Sequence, residues 1–379
     1  MSHRRTVGIE LFAGCGGLST GFLDAGLHVA AGFEIDRRAV DAYNYNHSYR
    51  GSRGFVADLI TASGQTLLET AGLRSVDFLI GGPPCQPFSI VGKRRGAADK
   101  RAGLMSHFVR LVRELAPKAI VLENVPNLAK LGNGELFQET MSGLSELGYS
   151  LWHDVLAAAD FGVPQARKRL IVIGIKGRCT VRGPVASHGR DLLPYVTTRQ
   201  AIGDLPDAGE FGATSVHNHE PTMHSADMIA RFRSLGQGQR ERGSFHDRLH
   251  PDRLSYTLRA GSGNFSPLRP IHYQFDRVVT VRESARLQGF SDAFIWPDRI
   301  PRLQQYRQVG NAVPPPLAAA VAQCVAEQMH WTLSPMLFKG EPTKRPDPMT
   351  MSDEERVAQR KARTRGASLG KVALAAAAE

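Results

Sequence analysis

The chain has 379 residues, 42% hydrophobic and 22% charged, which suits one large α/β domain with a smaller one. No apolar run approaches the roughly 18 residues of a membrane span, and the four cysteines lie too far apart to indicate a disulfide framework or a zinc site. A net charge of +11 favours a polyanionic partner, with nucleic acid the leading candidate. The amino terminus lacks the apolar region of a secretory signal, so we expect a soluble, cytoplasmic protein.

Apolar strands alternate with helical patterns over the first 175 residues, which predicts a doubly wound α/β sheet. The predicted strands are residues 7–12, 28–33, 54–56, 76–80, 119–122, 150–156 and 170–175, with helices such as 106–115 and 134–147 between them. Residues 177–281 have few long apolar runs, which indicates a second, loop-rich domain. Regular structure returns at residues 281–288 and 316–329.

The positive charge of the loop-rich segment comes from arginine, without lysine. Between Lys176 and Lys339 there is no lysine, whereas residues 181–281 carry twelve arginines. The planar guanidinium suits bidentate contacts to phosphate and to guanine edges. A GC-rich genome favours the same bias, so this pattern supports a nucleic-acid partner without deciding it. These twelve include Arg231, Arg233, Arg240, Arg242, Arg248, Arg253, Arg259 and Arg269.

A rigid turn follows the predicted strand 76–80. The sequence GGPPCQPFS occupies residues 81–89, where two glycines permit unusual backbone conformations and prolines flank Cys85 and Gln86. A stiff loop aims its side chains, so Cys85 is a candidate nucleophile. On this segment alone, a proline-rich surface turn with a chance cysteine is an equally good explanation.

A glycine-rich turn, FAGCGG at residues 12–17, follows the first strand and opens a helix. Its backbone amides could approach a nucleotide-like cofactor. Glu34 ends the second strand, where a carboxylate can accept hydrogen bonds from ribose hydroxyls, and Asp58 follows the third strand. Because position 19 is Ser19, the run does not complete G-x-G-x-x-G, which favours an adenosyl ligand other than a nicotinamide cofactor.

An acidic residue, Glu123, follows the predicted strand 119–122. In a parallel sheet, ligands collect at the carboxyl ends of strands, so Cys85 and Glu123 could face one substrate. A thiol with an acid suits addition to an unsaturated ring, where the acid protonates a ring nitrogen as sulfur attacks. Taken singly, Glu123 is more simply explained as a solvated loop residue or a helix cap.

In this order, the motifs resemble those of the DNA cytosine-5 methyltransferases. The similar segments are residues 12–17, Glu34, Asp58, PPCQ at 83–86, ENV at 123–125, QARKR at 165–169, RESARLQGF at 282–290 and QVGNAVP at 308–314. Together they span about residues 7–330. Departures are small: Glu10 stands where many members carry aspartate, and Ala57 where glycine is common.

The resemblance implies a Rossmann-like, S-adenosylmethionine-dependent methyltransferase acting on double-stranded DNA. The implied cofactor-binding residues are Phe12, Gly14, Gly16, Gly17, Glu34, Ile35, Asp58, Leu59, Pro83 and Asn311. The implied catalytic residues are Cys85, Glu123, Arg167 and Arg169, and the implied DNA contacts are Gln86, Ser89, Arg167 and Thr257. Cys85 would add to C6 of a flipped cytosine, with Arg169 at its O2 and Arg167 turned toward a phosphate. No metal is implied.

The resemblance also implies a domain division. Residues 5–176 with 305–332 would form the catalytic domain, residues 177–304 a small target-recognition domain with its hinge, and residues 333–379 a basic mobile tail. We expect a monomer in the bacterial cytoplasm or nucleoid, with a cognate restriction endonuclease as a possible partner.

Three alternatives remain open at this point. A tRNA cytosine-5 methyltransferase would share the fold, but the Cys-Phe-Thr tripeptide usual in those enzymes is absent from the sequence. A catalytically silent DNA-binding relative would tend to lose Cys85 or Glu123. A nicotinamide dehydrogenase would explain the glycine turn and Glu34 alone.

Overall fold

The computed structural model describes residues 5–84, 102–178, 180–209, 216–241, 246–261 and 270–334. Three residues predicted to act on the target, Cys85, Gln86 and Ser89, lie outside this part, as do Cys179 and nearly all of the predicted tail. The described part contains the predicted cofactor residues, the predicted acid and the first two prolines of the nucleophile loop.

A mixed sheet of seven strands forms the centre of the described part, in the order β3-β2-β1-β4-β5-β7-β6. The strands are β1 (Val7–Leu11), β2 (His28–Glu34), β3 (Arg53–Val56), β4 (Phe78–Gly81), β5 (Ala119–Asn124), β6 (Tyr149–Ala157) and β7 (Lys168–Lys176). Strand β7 runs antiparallel to both of its neighbours, while the other pairs are parallel. The predicted strands and the α/β class are confirmed. The reversal of β7 was not predicted.

Strand order changes direction between β1 and β4. The chain moves outward from β1 to β2 and β3, then returns to place β4 on the other side of β1. Such a switch point opens a crevice at the carboxyl ends of the two strands, where α/β proteins bind ligands. The glycine turn after β1 and the proline loop after β4 therefore begin side by side.

Helices cover both faces of the sheet. They are α1 (Gly17–Asp24), α2 (Arg37–His47), α3 (Gly64–Ala71), α4 (Ala102–Leu115), α5 (Glu135–Glu146), α6 (Thr198–Ile202), α7 (Ala226–Arg233), α8 (Val281–Leu287), α9 (Arg302–Asn311) and α10 (Pro315–Met329). Strand residues alternate between two cores: Val121 packs with α1 and α10, whereas its neighbours Ile120 and Leu122 pack with α4. This two-sided burial explains the continuous apolar runs of the central strands.

The last described helix, α10, closes one face of the sheet against α1. Gly21 makes this approach possible, since a Cβ there would lie 2.4 Å from the Cβ of Ala318. The stretch Arg302–Met329 is long and apolar enough to cross a membrane by length and composition, but 72% of the window is buried inside the protein. Burial of that extent is usual for a core helix.

The segment predicted as the small domain contains α6, α7, α8 and a two-stranded parallel sheet of β8 (Asp247–Arg248) and β9 (Pro270–Ile271). Its larger core is shared with the rest of the chain, because Trp296 and Val281 cluster with Tyr306 of α9 and Ala42 of α2. Its first residues lie on α10, where Arg182 N donates to Gln328 Oε1 at 2.9 Å. The predicted boundaries at 177 and 305 therefore cross continuous packing.

Candidate active site

The turn after β1 is built for close approach of a ligand to the backbone. Phe12, Gly14 and Gly16 have φ values of 57°, 54° and 92°, a region in which glycine is free of strain. A Cβ on Gly14 would meet nothing within 4 Å, so the backbone there faces open space. At Gly16 the same atom would lie 2.4 Å from the His47 ring, which makes glycine necessary.

Glu34 is held at the end of β2 by three backbone amides. Its Oε2 accepts from Gly14 N at 3.0 Å, and its Oε1 accepts from Ile35 N at 2.8 Å and Asp36 N at 3.0 Å. The carboxylate is thereby fixed against the glycine turn. Oε2 accepts only one of these bonds and keeps a lone pair that a ligand hydroxyl could use.

The residues after β3 include a second acid, Asp58, and an apolar residue, Leu59, and another apolar residue, Ile35, follows Glu34 after β2. Asp58 is exposed, and its Oδ1 accepts from Ile60 N at 3.0 Å. Ile35 is 66% exposed and follows Glu34 directly, whereas the Leu59 side chain is 4% exposed and belongs to the core. Of the predicted cofactor residues here, Asp58 and Ile35 are exposed to solvent, and Leu59 packs inward.

Glu123 forms a buried ion pair with Arg169. Arg169 Nε lies 2.7 Å from Glu123 Oε1, and both side chains are almost fully buried. Burial raises the pKa of the Glu123 carboxyl, while the positive charges of Arg169 and Arg167 oppose that rise. Glu123 Oε2 also lies against Gly82, where an added Cβ would be 2.9 Å away. The predicted acid therefore contacts Gly82, which stands three positions before Cys85 in the sequence.

Asn124 holds the start of that loop, a role that the sequence did not reveal. Its Nδ2 donates to Pro83 O at 2.8 Å, and its Oδ1 accepts from Val125 N at 2.9 Å. Pro83 is buried, so its side chain faces the protein interior. The adjacency of Asn124 to Glu123 at the end of β5 was the one available sign of this contact.

Arg167 points into the protein. Its side chain is fully buried, and its guanidinium donates to three carbonyl oxygens: Leu258 at 3.1 Å, Gly310 at 2.8 Å and Ala312 at 3.2 Å. This geometry corrects the expectation that Arg167 turns toward a DNA phosphate. One guanidinium thereby joins three chain regions inside the protein.

Two glutamines add hydrogen bonds at the junction where Arg167 contacts the carbonyls of Leu258, Gly310 and Ala312. Gln165 Oε1 accepts from Leu258 N at 3.0 Å, and its Nε2 donates to Gln288 Oε1 at 2.8 Å. Gln288 Nε2 in turn donates to Ala312 O at 2.5 Å. The three late motifs are thus one hydrogen-bonded unit. Asn311 is exposed at the end of α9, between two residues whose carbonyls Arg167 holds.

Thr257 is also fixed to this unit. Its Oγ1 donates to Ala166 O at 2.6 Å although the residue is exposed, and Ala166 N donates to Ser255 O at 2.9 Å. The two segments run parallel at the bridge between Gln165 and Ser255. The weak Thr-Leu pattern of the sequence therefore lies beside the QARKR motif.

Comparison with known proteins shows the family of the chain. The C-5 cytosine-specific DNA methylase family matches residues 7–327. The chain belongs to this family. The methylase is 38% identical to the type II methyltransferase M1.HphI of Haemophilus parahaemolyticus over 84% of this chain and 86% of that one, and 34% identical to M.XorII of Xanthomonas oryzae over 84% of each.

Solved structures support the same assignment. A DNA modification methyltransferase encoded within an E. coli prophage superposes on the methylase with a TM-score of 0.73 at 26% identity, covering 86% of this chain and 99% of that chain. The Dnmt2 methyltransferase of S. pombe, at 19% identity and a TM-score of 0.63, shares the fold over 86% of this chain and its own full length. The resemblance, the fold class and the enzyme class expected from the sequence, a DNA (cytosine-5) methyltransferase, are confirmed.

Proposed function

We propose that this methylase uses S-adenosylmethionine to methylate C5 of a cytosine that has been flipped out of double-stranded DNA, through a covalent bond from Cys85 to C6. The observation that carries this proposal is the placement of Glu123, buried and paired with Arg169, against Gly82 at the start of the cysteine loop. A buried acid beside the loop that carries a thiol in its sequence matches the needs of addition to a pyrimidine ring.

The residues around the β1 turn fit the proposed cofactor. Open space above Gly14, a Glu34 carboxylate fixed by three amides, and the exposed Asp58 and Ile35 offer backbone donors, acceptors for hydroxyl and amino groups, and an apolar surface. Asn311 would close the pocket from α9. When bound, S-adenosylmethionine supplies an electrophilic methyl group on its sulfonium sulfur.

The chain's own residues would carry the remaining chemistry. C6 of a stacked cytosine is inaccessible, so the base must leave the duplex at a cost of a few kcal/mol. The Cys85 thiolate would then form a bond to C6 while Glu123 donates a proton to N3, which makes C5 nucleophilic enough to take the methyl group. A base next removes the C5 proton, the double bond between C5 and C6 forms again as the bond from Cys85 Sγ to C6 breaks, and the N3 proton returns to Glu123.

Burial of Glu123 suits this role. Because desolvation raises the pKa of its carboxyl, the protonated form is more available near neutral pH than for an exposed glutamate. Arg169, whose Nε is bonded to Glu123, would hold the acid and approach the cytosine O2. Arg167 supports both from the interior rather than contacting substrate.

A duplex that contains 5-fluorocytosine in its target sites tests the covalent step. Fluorine cannot leave as a proton does, so we expect a denaturation-resistant adduct on Cys85, seen by gel shift and peptide mass spectrometry. The control is Cys85→Ala, which should bind DNA but form no adduct and transfer no methyl group. An active wild-type preparation that forms no adduct would refute addition to C6.

Bisulfite sequencing of DNA from cells that express the protein would identify the base and the site together. We also propose that the enzyme acts as a monomer in the bacterial cytoplasm or nucleoid, as the modification partner of a restriction endonuclease. Its similarity to type II methyltransferases supports the last point. Equal methylation of cytosines in every context would argue against a restriction-modification role.

A further inference from the structure

The arginines of the lysine-free segment fall into two groups. Arg233 and Arg240 are exposed but paired, with Nε atoms 3.0 Å from Asp276 and 2.5 Å from Asp247. Arg248 is buried and bonded to Asp276 as well. In the part of the chain that the structure describes, Arg231, Arg253 and Arg259 are exposed and no ion pair to a carboxylate involves them. Among the six arginines named here, this second group has no carboxylate partner in the described part of the chain.

Arg259 differs from the other two because the backbone around it contacts the QARKR and QVGNAVP motifs. The preceding residue, Leu258, is bonded through its N to Gln165 and through its O to Arg167. On the other side Gly310 packs so closely that a Cβ there would lie 2.6 Å from the Arg259 carbonyl carbon. The side chain of Arg259 thus projects from a backbone that has little freedom to move.

Exposure alternates over residues 257–259. Thr257 and Arg259 are exposed while Leu258 between them is buried, as expected for an extended chain whose alternate side chains face solvent. The segment runs parallel to QARKR from the bridge at Gln165 and Ser255. Its direction therefore carries the chain from Ser255 toward the end of the motif that holds Arg169.

We propose that Arg259 contacts the DNA phosphate next to the flipped nucleotide, an assignment that rests on the proposed function. Arg169 marks the place of the target base through its bond to Glu123, and Arg259 lies on the segment beside that motif. A guanidinium matches phosphate geometry bidentately. Because the backbone is already ordered, binding costs only the side-chain entropy of one arginine.

The salt dependence of DNA binding tests this assignment without requiring catalysis. A fluorescein-labelled duplex of mixed sequence is titrated with wild-type enzyme and with Arg259→Gln over a series of salt concentrations. Loss of one phosphate contact should reduce the slope of log K against log salt by about 0.9. Arg259→Lys keeps the charge and should keep most of the slope. In methylation assays, Arg259→Gln should raise KM for DNA and leave kcat near wild type.

The matched control is Arg240→Gln, which removes one exposed positive charge that pairs one to one with Asp247. Its slope should equal that of the wild type. An unchanged slope for Arg259→Gln, or an equal fall for Arg240→Gln, would overturn the proposal. So would a loss of S-adenosylhomocysteine binding in Arg259→Gln, because the residue would then be structural. Failure of the wild-type protein to bind any duplex would instead count against DNA as substrate.

Discussion

Replacing Glu10 by glutamine should stabilise the protein, and increasingly so as pH rises. Glu10 lies in β1 beneath the glycine turn and is 2% exposed. Its Oε2 accepts from Ser19 N at 3.0 Å and from Ser19 Oγ, which in turn lies 2.9 Å from Tyr43 Oη. Among the described contacts, no cation pairs with this carboxylate. Glutamine keeps an oxygen acceptor of the same shape and removes the ionisable proton.

The magnitude of this stabilisation follows from the pKa of Glu10, which burial raises from 4.5 to about 8. A pKa that is higher in the folded state means that folding takes up a proton. The stabilisation from the protonated acid is complete below pH 4.5 and is lost as pH rises toward 8. Between about pH 6 and about pH 8, the wild type should lose about 2 kcal/mol of unfolding free energy through this group alone.

Urea unfolding, followed by tryptophan fluorescence at both pH values, measures this difference. The quantity of interest is the free energy of unfolding of Glu10→Gln minus that of the wild type, since other titrating groups cancel. It should grow by about 2 kcal/mol from the lower to the higher pH. Glu139→Gln, at an exposed glutamate, is the control and should show no such trend. A Glu10→Gln difference independent of pH would refute the claim that the buried acid is protonated.

Three further substitutions probe the site. Arg167→Lys should lower the unfolding free energy by about 2–5 kcal/mol, because one ammonium cannot replace three carbonyl contacts. It should leave the salt slope of DNA binding unchanged. Unaltered stability with a reduced slope would instead indicate that Arg167 contacts a DNA phosphate. Asn124→Ala removes the donor to Pro83 O and should lower kcat about ten- to a hundredfold with cofactor affinity retained; normal single-turnover rates would contradict this. Glu34→Ala should weaken S-adenosylmethionine binding by about ten- to a hundredfold in calorimetry, and equal weakening of DNA binding would argue against a cofactor role.

The sheet could be predicted because its central strands are buried on both faces. Each appears as a short run of apolar residues bounded by turns, and the observed strands match the predicted ones closely. The direction of β7 could not be predicted in the same way. A buried strand has the same composition whether it runs parallel or antiparallel, and its direction depends on the turn at residues 158–167.

Arg167 shows why the orientation of a site residue escapes prediction. The sequence QARKR places two arginines in one basic turn, with nothing to separate an inward side chain from an outward one. Its partners, Leu258 and Ala312, lie more than ninety residues further along the chain. The arginine-rich segment poses the same problem, because Arg233 looks like a free charge until Asp276 is brought beside it.

The junction at Arg167 also changes how mutations in this enzyme should be interpreted. One guanidinium holds Leu258, beside the exposed Thr257 and Arg259, and also holds Gly310 and Ala312 around Asn311. Loss of that guanidinium would loosen the proposed DNA-binding segment and the proposed cofactor wall together. A fall in both affinities is therefore no evidence that Arg167 contacts either ligand. The slope of log K against log salt distinguishes a displaced backbone from a lost phosphate contact. Displacement of the backbone leaves the number of phosphate contacts unchanged, whereas loss of a direct contact lowers that number by one.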